Sequence, residues 1–293
     1  MTIDQTIRQV PGLYRRRVGD FIVTAVNDGM VPIPAGAMVG MAPDEVGKAL
    51  SSRFRPADPH VTIGAYLIEG GGSCTLVDTG ARNLMGPTLG KVLGNLAVLG
   101  VTPDRIDRIA LTHLHADHAG GMLDDEGGAV FPRAEVFIPL EEERHWLGGE
   151  PPTDALGISA QVNAYAPQLR RAYGGRWHAI GEAEEVIPGM QRVALPGHTP
   201  GHSGYHLSSG ADELLIWGDI THVPVVQIAH PEVGLAFDVD VDQGRATRRR
   251  ILDRVAADRL AIGGMHLEFP GFGHVLRNGP GYEYVPDLWL PDI

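Results

Sequence analysis

The spacing of apolar residues along the chain predicts short strands that alternate with amphipathic helices. Apolar runs bounded by turn residues are typical of buried strands, and apolar residues that recur every three or four positions are typical of helices. The predicted strands are 21–26, 61–69, 74–78, 105–111, 130–139, 203–207, 214–217 and 260–264, with two or three more between 177 and 195. The predicted helices are 43–50, 89–99, 141–147, 158–173 and 242–260.

Turn residues organise these elements into one domain. A glycine-rich turn at 70–73 predicts a hairpin, and Asn27-Asp28-Gly29 predicts the end of the first strand. Residues 1–20 are polar and contain Pro11 and Gly12, so they are predicted to form an N-terminal arm. Residues 21–293 contain no obvious repeat or linker and are predicted to form a single domain of β-sheets with helices outside.

Composition narrows the function classes. Hydrophobic residues make up 43% and charged residues 20% of the 293 residues, as in ordinary globular proteins. The net charge of −12 and the lack of a basic stripe argue against a nucleic-acid partner, and the basic run 248–250 is interpreted as a solvated helix face. No apolar run is long enough to cross a membrane, and the first ten residues lack a signal-peptide pattern, so a cytoplasmic protein without a membrane partner is expected. Cys74, the single cysteine, excludes an internal disulfide.

The largest group of side chains that can bind a metal follows the predicted strand 105–111. His113 and His115 project from the same side if the chain stays extended, because side chains of an extended segment repeat every two residues. Asp117 and His118 follow where the chain must turn. Neutral imidazole and carboxylate are ligands that suit zinc and similar divalent ions. This segment is therefore predicted to bind metal.

Three later segments can complete such a site. His198 lies in a loop rich in glycine and proline at 196–202, Asp219 follows the strand 214–217, and His266 follows the strand 260–264. A carboxylate after a buried apolar run is costly unless a positive charge such as a metal ion compensates it. Each residue follows a predicted strand, so the side chains can converge from distant parts of the chain.

These motifs resemble the metallo-β-lactamase superfamily. The resemblance rests on His-x-His-x-Asp-His at 113–118, Gly-His-Thr-Pro-Gly-His at 197–202, Gly218-Asp219 and His266, with Leu-Val-Asp-Thr-Gly at 76–80 preceding them. Order and spacing agree over residues 20–275. The resemblance implies an αββα sandwich of two mixed β-sheets flanked by helices, with the site along one edge.

The resemblance also implies two divalent ions, zinc in the first place, with manganese, cobalt and iron as alternatives. The first ion would be held by His113, His115 and His198. The second would be held by Asp117, His118 and His266, and Asp219 would bridge the two. Asp78 would support the histidines without binding a metal.

Such a centre implies a hydrolase. Two ions about 3.5–4 Å apart can share a hydroxide that attacks a carbonyl carbon or a phosphorus. Asp219 would orient that hydroxide, and His222 would either relay a proton or brace a ligand. A serine hydrolase is not indicated, because the chain has no Gly-x-Ser-x-Gly elbow.

Within the superfamily, the run 265–274 and His222 are most similar to methyl parathion hydrolases and related lactonases and aryl esterases. This implies small neutral esters, lactones or phosphotriesters as substrates. Aromatic side chains near a metal site commonly build an apolar pocket, so Trp146, Phe269 and Phe272 are predicted to line it. No arginine or lysine lies within three residues of a proposed ligand, which also favours neutral substrates.

Two alternatives stay open: an iron-dependent redox member of the superfamily, similar to persulfide dioxygenases, and a non-catalytic binding module. The complete ligand set argues against both. Apolar residues in 1–20 and 31–43 fall outside any clear core pattern, and relatives often pair through such segments. A homodimer is therefore expected.

Overall fold

The computed structural model describes residues 9–150, 152–154 and 156–293. Its strands are β1 (Leu13–Val18), β2 (Phe21–Pro32), β3 (Met38–Val39), β4 (His60–Gly70), β5 (Ser73–Val77), β6 (Arg108–Ala110), β7 (Glu135–Pro139), β8 (Trp177–Ile180), β9 (Glu185–Ile187), β10 (Met190–Ala194), β11 (Ser203–Ser209), β12 (Asp212–Ile216), β13 (Gly234–Leu235), β14 (Ala261–Gly263), β15 (Phe272–Asn278) and β16 (Gly281–Pro286). Its helices are α1 (Pro43–Ser51), α2 (Val92–Val98), α3 (Ala116–Ala119), α4 (Leu140–Leu147), α5 (Ile158–Tyr173), α6 (Pro224–Gln227) and α7 (Val241–Asp258).

Two seven-stranded sheets form the centre of the fold. The first has the order β1-β2-β4-β5-β6-β7-β8, and the second has the order β16-β15-β14-β12-β11-β10-β9. Strands β5 to β8 run parallel to one another, as do β12 and β14, whereas the other neighbours in both sheets are antiparallel. The predicted αββα sandwich of two mixed sheets is confirmed.

Both faces of the central strands are buried, which explains their continuous apolar runs. In β12, Leu214 and Ile216 point into the core between the sheets, whereas Leu215 packs in the cluster that contains Ile251 and Val255 of α7. The first sheet packs in the same way against α2 and α5 on its outer face. Full burial of one such side chain contributes about 1.5–3 kcal/mol. These layers hold the strand ends in fixed positions.

The first long strand differs from its prediction. β2 does not stop at Asn27-Asp28-Gly29 but continues to Pro32, with a register shift against β4 between Asn27 and Gly29. The bulge turns Asp28 into the interior, where its carboxylate accepts hydrogen bonds from three backbone nitrogens: Ala81, Lys91 and Val92. A bulge adds one residue to a strand without ending it, so the tripeptide that resembles a turn in the sequence forms a bulge within β2.

The predicted N-terminal arm also needs correction. Leu13–Val18 pairs along its whole length with β2 as the outer strand of the first sheet, so it belongs to the domain. Arg15 and Arg17 are exposed and mask the strand pattern in the sequence. The part of the arm at residues 1–8 lies outside the described residues.

The basic run on α7 is only partly a solvated face. Arg249 and Arg250 are exposed, but Arg248 is buried. Its guanidinium donates to the carbonyl oxygens of Ile220 and Val233 at 2.7 and 2.8 Å. Burial lowers the pKa of Arg248 to about 10. Arg248 therefore ties α7 to the loops that follow β12.

Among the described residues, no helix combines the length and apolar character needed to cross a bilayer.

Candidate metal centre

The proposed ligands all lie at strand ends along one edge of the sandwich. His113 and His115 follow β6, and the short helix α3 carries Asp117 and His118. Neighbouring parallel strands end at the same edge of a sheet, so β12 and β14 deliver the residues that follow them to one place. His198 reaches this edge from the loop between β10 and β11. The two sheets thus contribute side chains from opposite sides.

A single carboxylate oxygen lies at the centre of the cluster. Five imidazole nitrogens surround Asp219 Oδ2: the Nε2 atoms of His222 and His266 at 3.0 Å, of His118 and His198 at 3.3 Å, and of His113 at 3.6 Å. Burial opposes ionisation of Asp219, but the imidazoles outweigh it and hold the pKa of this carboxyl well below its usual range. Asp219 is therefore a buried, ionised carboxylate at the centre of five imidazoles.

The remaining proposed ligands complete two groups. His115 Nδ1 lies 2.9 Å from His198 Nε2, and these atoms form one possible metal group with His113. Asp117 Oδ2 lies 3.5 Å from His118 Nε2 and 3.7 Å from His266 Nε2, which form the other. All seven side chains proposed from the sequence thus lie in one cluster, and His202 and His222 also fall within possible metal groups there.

In three of these histidines, the Nδ1 atom forms a hydrogen bond to a carboxylate or carbonyl oxygen. His118 Nδ1 lies 2.7 Å from Asp78 Oδ2, His198 Nδ1 lies 2.8 Å from Asp238 Oδ1, and His266 Nδ1 lies 2.7 Å from the carbonyl oxygen of Thr62. Carboxylates and carbonyls only accept, so each Nδ1 carries a hydrogen, which leaves Nε2 as the nitrogen that a metal ion in the cluster would coordinate. This is the tautomer that a metal ion requires.

Several atoms of the cluster lack a hydrogen-bond partner. They are His113 Nε2, His118 Nε2, Asp219 Oδ1 and His222 Nδ1, all of them buried. Unpaired buried polar atoms are costly, and a cation coordinated by His113, His118 and Asp219 would satisfy the first three of these atoms. The donor set is imidazole and carboxylate without thiolate, which fits divalent ions such as zinc. The residues present therefore fit the metals that the sequence implies.

Asp78 lies beside the cluster, next to His118 Nδ1. Its Oδ1 accepts from the Thr112 backbone nitrogen at 2.8 Å, and its Oδ2 accepts from Thr112 Oγ1 at 2.7 Å. Asp78 has a φ of +58°, a left-handed conformation that is unfavourable for a residue with a Cβ. The bonds to Thr112 and His118 hold it there.

His202 was not assigned a role from the sequence, and the structure shows what it does. Its Nδ1 donates to the carbonyl oxygen of Leu195 at 2.7 Å, and its Nε2 accepts from the Asp219 backbone nitrogen at 2.8 Å. Burial lowers the pKa of His202 to about 3. Its lone pair is therefore already used, and His202 positions Asp219 without being a ligand. A Cβ on Gly218 would lie 2.4 Å from His202 Nε2, which explains the glycine.

The predicted pocket residues have three different fates. Phe272 is fully buried between the sheets, with its ring centroid 5.2 Å from that of Tyr66, so the prediction that it lines a pocket is wrong. It begins β15, where strand alternation points it inward. Trp146 is only 5% exposed, and its ring lies 6.1 Å from that of His115. Phe269 is 51% exposed and lines a cavity of about 330 Å³.

Comparisons with known sequences agree with this fold and site. The model of the metallo-beta-lactamase superfamily matches residues 63–263. A probable metallo-hydrolase of Mycobacterium tuberculosis is 28% identical over 126 residues, which cover 41% of this chain and 39% of the relative. An N-acyl homoserine lactonase of Bacillus thuringiensis is 26% identical over 119 residues, which cover 41% of this chain and 40% of the relative. The chain thus spans about two fifths of the length of these curated relatives.

Solved structures match over nearly the whole chain. The hydrolase AbOPH, described as a member of the beta lactamase superfamily, is 29% identical with a TM-score of 0.89 and covers 97% of this chain and 100% of its own. AidC, described as a dizinc quorum-quenching lactonase in complex with a product, is 24% identical with a TM-score of 0.88 and covers 96% of this chain and 99% of its own. At this identity the likeness to AidC shows the fold alone. Because the family model covers more than half of the sequence, this protein belongs to the metallo-beta-lactamase superfamily.

Proposed function

We propose that this protein is a metal-dependent hydrolase that binds two divalent ions, zinc foremost, and cleaves small neutral esters, lactones or phosphotriesters. The observation that carries the proposal is the buried Asp219 Oδ2 with five imidazole nitrogens within 3.6 Å. Asp219 would hold both ions, with His113, His115 and His198 on one and Asp117, His118 and His266 on the other. Two ions bound there would supply a nucleophilic water near neutral pH and polarise the reacting oxygen of the substrate.

The surrounding residues keep this set rigid. Asp78 and Asp238 fix the orientation of His118 and His198 through the Nδ1 hydrogens. His202 holds the backbone of Asp219. Of the two roles expected for His222, we assign the bracing role, because its Nε2 lies 3.0 Å from Asp219 Oδ2. A rigid ligand set allows reaction without reorganisation of the site.

We assign the non-reacting part of the substrate to the cavity beside Phe269. Its volume of about 330 Å³ is in the range of small-molecule pockets. Two walls come from segments that leave the centre, since Val225 lies three residues after His222 and Phe269 lies three residues after His266. Three residues span at most about 11 Å, so these two walls lie within that distance of the cluster, although no proposed ligand lines the cavity itself. Eight of the twelve lining residues are apolar or aromatic, and the other four are Arg53, Arg55, Glu268 and Glu283, of which Arg55 and Glu268 form an ion pair.

The names of the matched proteins favour lactones and other carboxylic esters as the first substrates to test. Among the relatives are proteins named N-acyl homoserine lactonase and hydroxyacylglutathione hydrolase. Both names describe hydrolysis at an acyl carbonyl. The same attacking water would serve a phosphotriester, so that class stays in the proposal.

A substrate panel on metal-analysed protein tests the proposal. The panel contains lactones of several chain lengths, p-nitrophenyl esters, a phosphotriester and a β-lactam. We expect hydrolysis of at least one neutral ester or lactone, and its loss after chelation or in Asp219→Ala, because that change removes the only carboxylate shared by both proposed ligand groups. Turnover within tenfold of the parent in Asp219→Ala would show that this residue is wrongly assigned.

A further inference from the structure

Glu142 on α4 is fully buried and accepts four hydrogen bonds. Its Oε1 accepts from the Leu114 backbone nitrogen at 2.9 Å and from Trp146 Nε1 at 2.6 Å. Its Oε2 accepts from Thr199 Oγ1 at 2.6 Å and from the Gly201 backbone nitrogen at 3.2 Å. Each carboxylate oxygen thus accepts two hydrogen bonds. One oxygen binds the segment of Leu114, and the other binds the segment of Thr199 and Gly201.

Those parts are the two segments that carry one proposed metal group. Leu114 lies between His113 and His115, and Thr199 directly follows His198. The first segment follows β6 of the first sheet, and the second follows β10 of the second sheet. Glu142 therefore spans the gap between the sheets at the point where three imidazoles must meet.

The contact between α4 and the second segment is also close at the backbone. A Cβ on Gly201 would lie 2.1 Å from the Glu142 nitrogen and 2.5 Å from its Cα. Only glycine permits this approach. The carboxylate is therefore held at a fixed distance from the loop that it binds.

The donors around Glu142 are all neutral. No arginine, lysine or histidine is hydrogen-bonded to it among the described residues, and burial raises the pKa of this carboxyl against the opposing effect of its hydrogen bonds. Burial of a carboxylate without a cation is expensive, and a fold that needed only packing could place an apolar side chain here. Its neighbour Glu143, which also accepts from a tryptophan indole, remains partly exposed next to Arg170.

We propose that Glu142 is a positioning residue for the metal centre: it sets the distance between the segment of His113 and His115 and the segment of His198. The proposal rests on the proposed function, because it assumes that these three histidines bind a metal ion. It concerns geometry and not the chemical step, since Glu142 contacts none of the proposed ligands through its own carboxylate.

Glutamine at position 142 would preserve shape but not the bonding pattern. An amide has one accepting oxygen, whereas three of the four donors are N–H groups that cannot accept. At least one N–H group would then face the amide NH2 group. The affected segment has to shift away, and its histidine moves with it.

The test is a cobalt titration of the metal-free protein, followed by the visible absorption that reports cobalt geometry. Glu142→Gln is compared with Glu143→Gln, a matched control on the same helix whose glutamate accepts from Trp177 Nε1 at 3.0 Å. We expect cobalt affinity to fall about 10-fold or more in Glu142→Gln, with a changed spectrum, because the shifted segment carries a histidine out of position, and loss of a direct partner of a metal ligand typically costs 10- to 100-fold. Glu143→Gln should match the parent in both.

The thermal midpoint of each metal-free variant shows whether it folds. If Glu142→Gln does not, Thr199→Val, which loses the hydroxyl donor, replaces it, with Thr199→Ser as the variant that keeps the donor. Weaker cobalt binding in Thr199→Val and its recovery in Thr199→Ser would support the proposal. Parental affinity and spectrum in Glu142→Gln or Thr199→Val would overturn it. Failure of the parent itself to bind cobalt would instead overturn the proposed function.

Discussion

Asp238 and His198 form a buried pair in which the carboxylate Oδ1 lies 2.8 Å from the imidazole Nδ1. The second oxygen of Asp238 accepts from the Leu235 backbone nitrogen at 3.1 Å. The imidazole is thereby fixed from behind, with its Nε2 facing Asp219. A carboxylate in this place aligns the ring and increases its basicity toward a metal.

Asp238→Asn should weaken metal binding about 10- to 100-fold. The amide cannot accept from both His198 and Leu235, so one of the two bonds is lost. Competition with a chromophoric chelator measures the change. Asp240→Asn is the control: Asp240 caps α7 by accepting from the Gln243 nitrogen at 2.9 Å, and asparagine caps a helix equally well. Equal affinities in the two variants would contradict the role given to Asp238.

Metal removal should destabilise the protein. The unpaired buried nitrogens of His113 and His118 have no partner without an ion. A ligand present at a thousand times its dissociation constant stabilises the folded state by about 4.1 kcal/mol. The thermal midpoint should therefore rise with added zinc and fall with chelator, and gently purified protein should contain close to two equivalents. Full activity with one tightly bound ion would exclude the two-ion arrangement.

Trp146→Ala should act on the whole site and not on one substrate class. The side chain is buried, bonded to Glu142 and close to His115. Its removal should cost about 3–5 kcal/mol of folding stability, as is usual for a buried aromatic. Chemical denaturation measures this loss. If stability were unchanged and only the activity toward aryl substrates fell, Trp146 would instead line the substrate pocket.

Phe269→Ala should show the opposite behaviour. Half of this side chain is exposed at the cavity, so stability should change little. Loss of its contact should cost about 1–2 kcal/mol in binding, or roughly 5- to 30-fold in kcat/KM for an aryl or long-chain substrate. Methyl acetate, which is too small to reach this wall, serves as the control substrate. An equal fall for both substrates would place the pocket elsewhere.

The protein should be a homodimer. Leu288, Trp289 and Leu290 are largely exposed, and the carbonyl oxygen of Leu288 accepts from Tyr14 at 2.6 Å, so this tail lies beside the outer strand β1. Light scattering after gel filtration should give twice the chain mass of 31.4 kDa, and Trp289→Asp should shift the mass toward the monomer. A monomeric parent at micromolar concentration would contradict the expectation.

The cluster around Asp219 could be predicted from the sequence because each of its proposed ligands belongs to a short motif that follows a strand. Residues that act through long-range packing could not. Glu142 is one of three consecutive glutamates, and only the docking of α4 decides which of them is buried. Asp238 and His202 depend on loops that meet from distant positions. The prediction for Phe272 is wrong because side chains alternate between the two faces of a strand, so a shift of one residue exchanges a core position for an exposed one.

The division of the ligands between the sheets has a consequence for the order of events during synthesis. The first sheet is built from residues before position 181 and the second from residues after position 184. His113 to His118 therefore emerge from the ribosome long before His266, the last proposed ligand. The nascent chain can present only a partial set of donors until its final strands are made. A metal ion that required the whole proposed ligand set could therefore bind only at the end of translation or later, when both sheets are complete.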